Sequence, residues 1–480
     1  MYMTELLKKA YDAEEFRTAG HALIDQLANY LNQAYQGKGP KVLEWKSPEE
    51  QLAFWQNYAP AGNAPTPSTK LFADLLQHSI HLHHKQYMGH QVAPPLPHSA
   101  LASLLSALMN NGMAVYEMGP AASALEKVVA QTFTRALGWG EAADGFLTSG
   151  GTLANLTGLL SARRAKAGGD VWNRGNSEKL ALMVSAEAHY CVDRAVRIMG
   201  WGEEGVIKVP VNERLQMRTD LLEAYYQQAR QAGIRVIAVV GSACSTSSGS
   251  YDDLEAISRF CRRHDLWMHV DGAHGGGAIF SPTYRHLLTG VDGADSVVID
   301  IHKMLMAPSI TTLLLYKEGL QAYHTFSQKA QYLWEQSGDE EWYNLAKRTF
   351  ECTKHMMSAR VFTILHLYGT QVFDDYVTTL YTLGRTFASM LQQQPDFELA
   401  LEPQANIVCF RYRPQGVPQQ QLDALNSRIR RKLLEGGDFY IVQTTLHEQV
   451  YLRTTLMNPF TTEVELNGLL KEIRTLAHGL

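Results

Sequence analysis

The chain reads as an α/β protein: a mainly parallel sheet covered by helices on both faces, preceded by a helical segment and followed by a small α+β domain. Three observations carry this expectation. Short runs rich in Val, Ile and Leu recur through the middle of the chain, too apolar on both faces for a half-exposed sheet. Amphipathic stretches at helical spacing separate them. The texture changes on either side, near residue 85 and again near residue 355, which sets the expected boundaries at 1–85, 86–355 and 356–480.

Residues 1 to about 85 place Leu6, Leu7, Ala10 and Tyr11, then Ala22, Leu23, Leu27, Tyr30 and Leu31, at helical spacing. This arm is too amphipathic to stand alone. From about residue 125 the alternation begins. GFLT is a strand, and TLANLTGLLSARRAKAG a helix with a glycine-rich start. LALMVS precedes the helix HYCVDRAVRIMG, VIKVPV precedes TDLLEAYYQQARQAG, and IRVIAVVGSA precedes DDLEAISRFCRRH. The two acids opening the last helix suit its dipole. LWMHVD, DSVVID and TTLLLYK complete seven strands. After about 355, two helices (Met356–Tyr368 and Asp374–Gln393) precede the strands NIVCFRY and VYLRTTL and a final helix over Thr462–His478.

At 480 residues the chain exceeds one ordinary core, and 45% hydrophobic with 19% charged residues is a globular composition. A net charge of −5 offers no basic face to nucleic acid. Cys191, Cys244, Cys261, Cys352 and Cys409 are odd in number and form no CxxC pair, as expected of reduced thiols in a cytoplasm. The N-terminus is charged early and carries no apolar signal-peptide core. Gln86–Tyr116 lacks Asp, Glu, Lys and Arg, but Pro94, Pro95, Pro97 and Asn110-Asn111-Gly112 break it, so it is no membrane helix and fits an active site or subunit interface.

The chemistry concentrates in HVDGAHGG and ADSVVIDIHKMLMA. Asp271 ends one apolar run, and Lys303, directly after His302, follows the end of another. A buried carboxylate and a lysine delivered from two strand ends are what pyridoxal phosphate requires: the lysine carries the cofactor, and the acid keeps the ring nitrogen protonated so that the ring accepts electrons. The apolar neighbourhood of Lys303 predicts a depressed pKa and a nucleophilic amine. Small residues around Ala273 (Gly272, Gly275, Gly276, Gly277) would let a flat cofactor lie against the backbone. Thr148-Ser149-Gly150-Gly151-Thr152, between a strand and a helix, fits a phosphate turn, although a tight strand–helix turn needs no ligand. His189 follows another strand end and can stack on a planar ring or cap a helix; Ser245 and Thr246 follow a third. The His78, His81, His83, His84 group has neither HExxH nor closed-zinc spacing, so no metal is expected.

In this order the motifs YEMGPAASALE, TSGGTLANL, AHYCVDRA, HVDGAHGG, ADSVVIDIHKML and LRTTLMNP resemble the group II pyridoxal phosphate-dependent amino-acid decarboxylases, whose members act on glutamate, 2,4-diaminobutyrate, cysteine sulfinate and aromatic amino acids. The resemblance spans about Tyr116 to Asn458. It implies the fold-type I, aspartate aminotransferase-like large domain with a mainly parallel seven-stranded sheet. It implies Lys303 as Schiff-base lysine preceded by His302, Asp271 on the ring nitrogen, Ala273 against the ring and His189 stacked on it. It places Ser149, Gly150 and Thr152 in the phosphate turn, with Ser245 or Thr246 and Ser296 nearby, and Arg453 on a substrate carboxylate. Tyr332, in the polar Phe326–Phe350 segment, matches the tyrosine of a closing loop that returns a proton; His189 is the alternative donor. A homodimer with its active site at the interface is implied too.

Two positions depart from the family pattern. Asp300-Ile301-His302-Lys303 stands where Asn-Pro-His-Lys is common, and an acid there would repel a phosphate. His274 replaces an aromatic residue. The resulting expectation is decarboxylation of an L-amino acid to an amine and CO2. Gln86–Tyr116 supplies His90, Gln91 and His98 rather than a cation for a side-chain carboxylate, and His274 and the histidine group suit an amino or polar side chain; resemblance to the diaminobutyrate branch puts L-2,4-diaminobutyrate first, glutamate or aspartate next and aromatic substrates third. An aminotransferase or carbon–carbon lyase on the same Asp/Lys pair, or a non-catalytic binding relative, stands as the alternative.

Overall fold

The structure, a computed structural model, describes residues 3–58, 67–326 and 341–479. The chain divides into two compact units: Gln91–Met390 with Leu399–Cys409, and Met1–His90 with Leu391–Glu398 and Phe410–Leu480. The helices from Met357 to Met390 fall within the larger of these units. The helix Met357–Tyr368 packs on the helices Pro97–Met109 and Pro120–Ala136, and Ser358 Oγ donates to the Ala122 carbonyl at 2.8 Å.

The larger unit holds the seven-stranded sheet. Its strands are β1 (Asp144–Thr148), β2 (Lys179–Ser185), β3 (Val206–Val209), β4 (Ile234–Ser242), β5 (Trp267–Asp271), β6 (Ser296–Asp300) and β7 (Thr312–Tyr316), in the order β1-β7-β6-β5-β4-β2-β3. Strands β2 to β6 pair in parallel, while β7 runs antiparallel to both β1 and β6. Every residue of β1, β5, β6 and β7 is buried, as continuous apolar runs between two helical layers require. The crossover helices Gly151–Lys166, Tyr190–Ile198, Leu222–Gln231 and Leu254–His264 fall on the segments expected from periodicity. In parallel strands the chain direction is shared, so the ends of β2, β4, β5 and β6 open on one edge.

Strand β1 lies at the sheet margin, and buried ions complete its backbone pairing. Leu147 N–H donates to Glu126 Oε1 at 3.0 Å, and Lys354 Nζ donates to the Leu147 carbonyl and to Glu126 Oε1, both at 2.5 Å. Arg348 anchors the other end through Asp144 at 2.6 Å. Removing one partner from a buried pair of this kind costs roughly 3–5 kcal/mol, because the remaining charge is stranded.

The second unit carries the helices Ala13–Gln36 and Glu463–His478, the latter closed by a Thr462/Glu465 capping box. Strands β8 (Phe397–Leu399), β9 (Ile407–Tyr412), β10 (Val442–Leu446) and β11 (Gln449–Thr455) form a sheet in the order β10-β11-β9-β8. The histidine group packs here against aromatic rings: Tyr30 lies 5.3 Å from His81 and 6.2 Å from His83 between centroids, and Tyr35 lies 6.0 Å from His83. Burial pulls His83 down to about 4, so that ring is a neutral packing element near pH 7. Among the described residues no helix is long and apolar enough to cross a membrane.

Candidate active site

The end of β1 turns into the helix Gly151–Lys166 through Gly150, whose φ of 107° and ψ of 152° suit glycine alone. The first backbone N–H groups of this helix have no intrahelical acceptor, and its dipole favours an anion. A carboxylate sits on the turn just before the helix: Glu351 accepts from Ser149 N–H at 3.0 Å, Ser149 Oγ at 2.7 Å and Thr148 Oγ1 at 2.9 Å. A Cβ added at Gly151 would lie 3.0 Å from Asp300 Oδ2 and 3.1 Å from Oδ1, so a second carboxylate abuts the helix start.

Register explains this approach. Thr148 stands opposite Thr312 across β1 and β7, and Thr312 stands opposite Asp300 across β7 and β6. Thr312 Oγ1 donates to Asp300 Oδ1 at 2.5 Å, and Lys303 Nζ reaches Asp300 Oδ2 at 2.8 Å. Burial alone would lower the Lys303 pKa, but the Asp300 carboxylate outweighs it and the net shift is upward. Burial likewise opposes the Asp300 charge, yet Lys303 holds its carboxyl below the usual range. The expected depressed lysine is thus corrected: Asp300, the acid expected to repel a phosphate, is the counter-ion of the amine.

Asp271 is buried at the end of β5, with Oδ1 accepting from Ala273 N–H at 3.2 Å. His189 caps the helix Tyr190–Ile198, its Nδ1 accepting from Cys191 N–H at 3.3 Å, which leaves the proton of the neutral ring on Nε2. Burial lowers its pKa, Asp271 raises it and Lys303 lowers it, so the three groups lie within one another's fields. His302 is buried, with Nδ1 at 2.9 Å from the Thr311 carbonyl oxygen and Nε2 at 3.8 Å from Asp300 Oδ2. Thr246 is partly exposed after β4, whereas Ser245 Oγ is buried against Ser248 Oγ at 2.7 Å.

Other candidates sit elsewhere. Ser296 starts β6, the strand end opposite Asp300, and its Oγ contacts Trp267 Nε1 at 2.8 Å and His269 Nδ1 at 2.7 Å. It belongs to a core network, not the carboxyl-edge cluster. His269 Nε2 continues that network to Asn155 Oδ1 at 2.8 Å, tying β5 to the helix Gly151–Lys166. His274 is buried, with Nε2 at 2.8 Å from Asn406 Oδ1, so its ring faces the core rather than a polar substrate. The nearby glycines are small for packing reasons: a Cβ at Gly272 would meet the Val298 carbonyl at 2.9 Å, one at Gly275 the Tyr251 hydroxyl at 2.2 Å, and one at Gly276 the Ile299 side chain at 2.8 Å. Ala273, partly exposed, is the small residue on the open side. Arg453, buried in β11, and His90 belong to the second unit. Desolvation, then the charges of Arg453 and Arg430, pull the His90 imidazolium below its ordinary value. Tyr332 lies outside the described residues.

The donor set fits pyridoxal phosphate: a turn that accepts a carboxylate, a lysine, an acid for the ring nitrogen and an imidazole, all at one sheet edge. A cavity of about 680 Å³ adjoins the turn, lined by Asn110, Asn111, Ser149, Glu351, His355 and Arg360 among others. Glu351 was not foreseen as a site residue.

Comparison with known proteins agrees with this chemistry. The family model described as the pyridoxal-dependent decarboxylase conserved domain matches residues 68–413. The chain is 29% identical over 413 residues to the L-aspartate decarboxylase dtxS4 of Metarhizium robertsii, covering 85% of this chain and 81% of that protein. It is 29% identical over 414 residues to the L-2,4-diaminobutyrate decarboxylase of Acinetobacter baumannii, covering 83% and 81%. Among solved structures, the glutamate decarboxylase domain of diaminobutyrate-pyruvate transaminase and L-2,4-diaminobutyrate decarboxylase from Vibrio parahaemolyticus superposes with a TM-score of 0.85. It is 26% identical, covering 100% of this chain and 98% of that one.

Proposed function

Because the chain belongs to the pyridoxal-dependent decarboxylase family, and is thereby a pyridoxal phosphate-dependent carboxy-lyase acting on an amino acid, we propose that Lys303, Asp271 and His189 form its catalytic core, with L-2,4-diaminobutyrate as substrate. The observation that carries the core is the convergence of these three groups at the carboxyl edge of the parallel strands. When bound, the cofactor supplies the electron sink into which the bond to the departing carboxylate discharges. Lys303 Nζ is its attachment point. Asp271, a buried carboxylate, would keep a proton on the ring nitrogen. Gly150, the N–H groups of Gly151 and Thr152, and the Ser149 turn would hold its phosphate, and Thr246 would meet the cofactor from the end of β4. Ala273 bounds the ring's face, and His302 braces the Lys303 segment through Thr311. His189, with Nδ1 committed to Cys191 N–H, offers its Nε2 proton to the substrate Cα. Arg453 and His90 belong to the other compact unit, and no step is assigned to them.

Diaminobutyrate is placed ahead of aspartate or glutamate on the similarity to the Acinetobacter baumannii diaminobutyrate decarboxylase; the cavity beside the turn carries both the Glu351 carboxylate and the cationic Lys354 and Arg360, so its charge alone selects neither side chain. A panel of purified L-amino acids, read by CO2 release and amine identification, tests the proposal. The expected product is 1,3-diaminopropane; β-alanine or γ-aminobutyrate would reassign the substrate, and a keto acid without CO2 would overturn decarboxylation.

Self-association is proposed on a separate observation. The helix Pro97–Met109 exposes Leu101, Leu104, Leu105, Leu108 and Met109, all about half accessible, on the element leading to the cavity. Sedimentation at micromolar concentration should return twice the 53.6 kDa chain mass, and a monomer would refute a homodimer.

A further inference from the structure

The acid that stands closest to Lys303 is not Asp271 but Asp300, and its environment is built to keep it ionised. Its side chain is 3% exposed. One oxygen takes the Thr312 hydroxyl at 2.5 Å and the other the Lys303 ammonium at 2.8 Å. Both abut Gly151, the first residue of a 16-residue helix, where the dipole favours negative charge. We propose that Asp300 is a positioning residue that holds the Nζ proton of Lys303, keeping the amine charged and aimed along the sheet edge, and so sets the pH above which Lys303 acts as a nucleophile. The proposal rests on Lys303 being the cofactor lysine only for its consequence in cofactor loading; the proton-holding itself does not.

The other charged groups around Lys303 do not replace this contact. Asp271, from β5, has its own bond to Ala273 N–H. His302, on the same connection, is held by Thr311. His189 and Cys191, from the helix Tyr190–Ile198, and Cys244, after β4, face the same space. Burial pushes the Cys191 thiol well up and Cys244 to about 12, so both are neutral near pH 7. With Asp300 neutralised, desolvation dominates at Lys303 and the amine gives up its proton more readily.

Competitive acetylation of the cofactor-free full chain with acetic anhydride, quantified at Lys303 by peptide mass spectrometry across pH, reads this directly. Asp300→Asn keeps the shape and the Thr312 contact. It should move the Lys303 midpoint down by at least about one pH unit, which is roughly tenfold more labelling near neutrality. Thr312→Val removes a hydrogen bond without touching the charge and should leave the midpoint near wild type. Superimposable wild-type and Asp300→Asn profiles, or an equal shift in Thr312→Val, would overturn the proposal. Borohydride reduction after adding pyridoxal 5′-phosphate tests the underlying assignment separately. An adduct on another lysine would refute Lys303 as the attachment point while leaving the acetylation result to judge Asp300.

Discussion

Lys303→Ala is expected to abolish CO2 release, a loss on the order of a thousandfold or more, equivalent to at least about 4 kcal/mol of barrier. The amine is the only atom of this residue that can bond the cofactor, and alanine offers none. The same change strands Asp300, whose carboxylate is buried and loses its 2.8 Å partner. Loss of one member of a buried pair costs roughly 3–5 kcal/mol; Thr312 Oγ1 and the helix start retain part of the stabilisation. The pH window follows from the two shifts. Asp300 is depressed, so its contribution is present above the ordinary carboxylate range and disappears as pH falls through the folded value. Lys303 is raised, so its contribution is present below the ordinary lysine value and disappears as pH rises through the folded one. The pair is therefore complete at neutrality, where thermal melts should show the variant less stable and absorbance spectra should show no lysine-bound cofactor. Turnover near wild type would remove Lys303 from the mechanism.

Much of the site was legible because strand ends are legible. Asp271 and Lys303 follow apolar runs, and parallel pairing brings such ends to one edge without any contact having to be guessed. The same logic, applied to strand starts, separates Ser296 from the cluster: it opens β6 and so lies at the far edge. What stayed hidden depended on partners distant in sequence or on turns without their usual residues. Glu351 meets Ser149 across 202 positions, and no local pattern announces that contact. Strand β10 went unread because the hairpin to β11 turns through His447 and Glu448, both at positive φ (49° and 62°), where Asn-Gly would normally signal it. The ion pair of Asp300 was not legible for a physical reason. Its charge was weighed against a phosphate alone, whereas the lysine three residues on, the Thr312 hydroxyl and the helix start already compensate it.

Asp271→Asn separates anchoring from electronics. The amide is nearly isosteric and can still accept from Ala273 N–H, the contact that orients the carboxylate at 3.2 Å. Lys303 keeps its own counter-ion in Asp300, so borohydride should trap cofactor on Lys303 as in wild type. What disappears is the negative charge proposed to keep the ring nitrogen protonated. Electrostatic contributions of this kind are worth about 4 kcal/mol, so kcat/KM should fall roughly a thousandfold. The same charge raises His189, and its removal should lower that imidazole further, moving any His189-dependent limb of the pH–rate profile to more acidic values. Lost trapping together with lost turnover would mean that Asp271 serves attachment. Turnover close to wild type would mean that the ring nitrogen is served by some other group, and the pairing of an acid with a lysine at adjacent strand ends would no longer account for the chemistry.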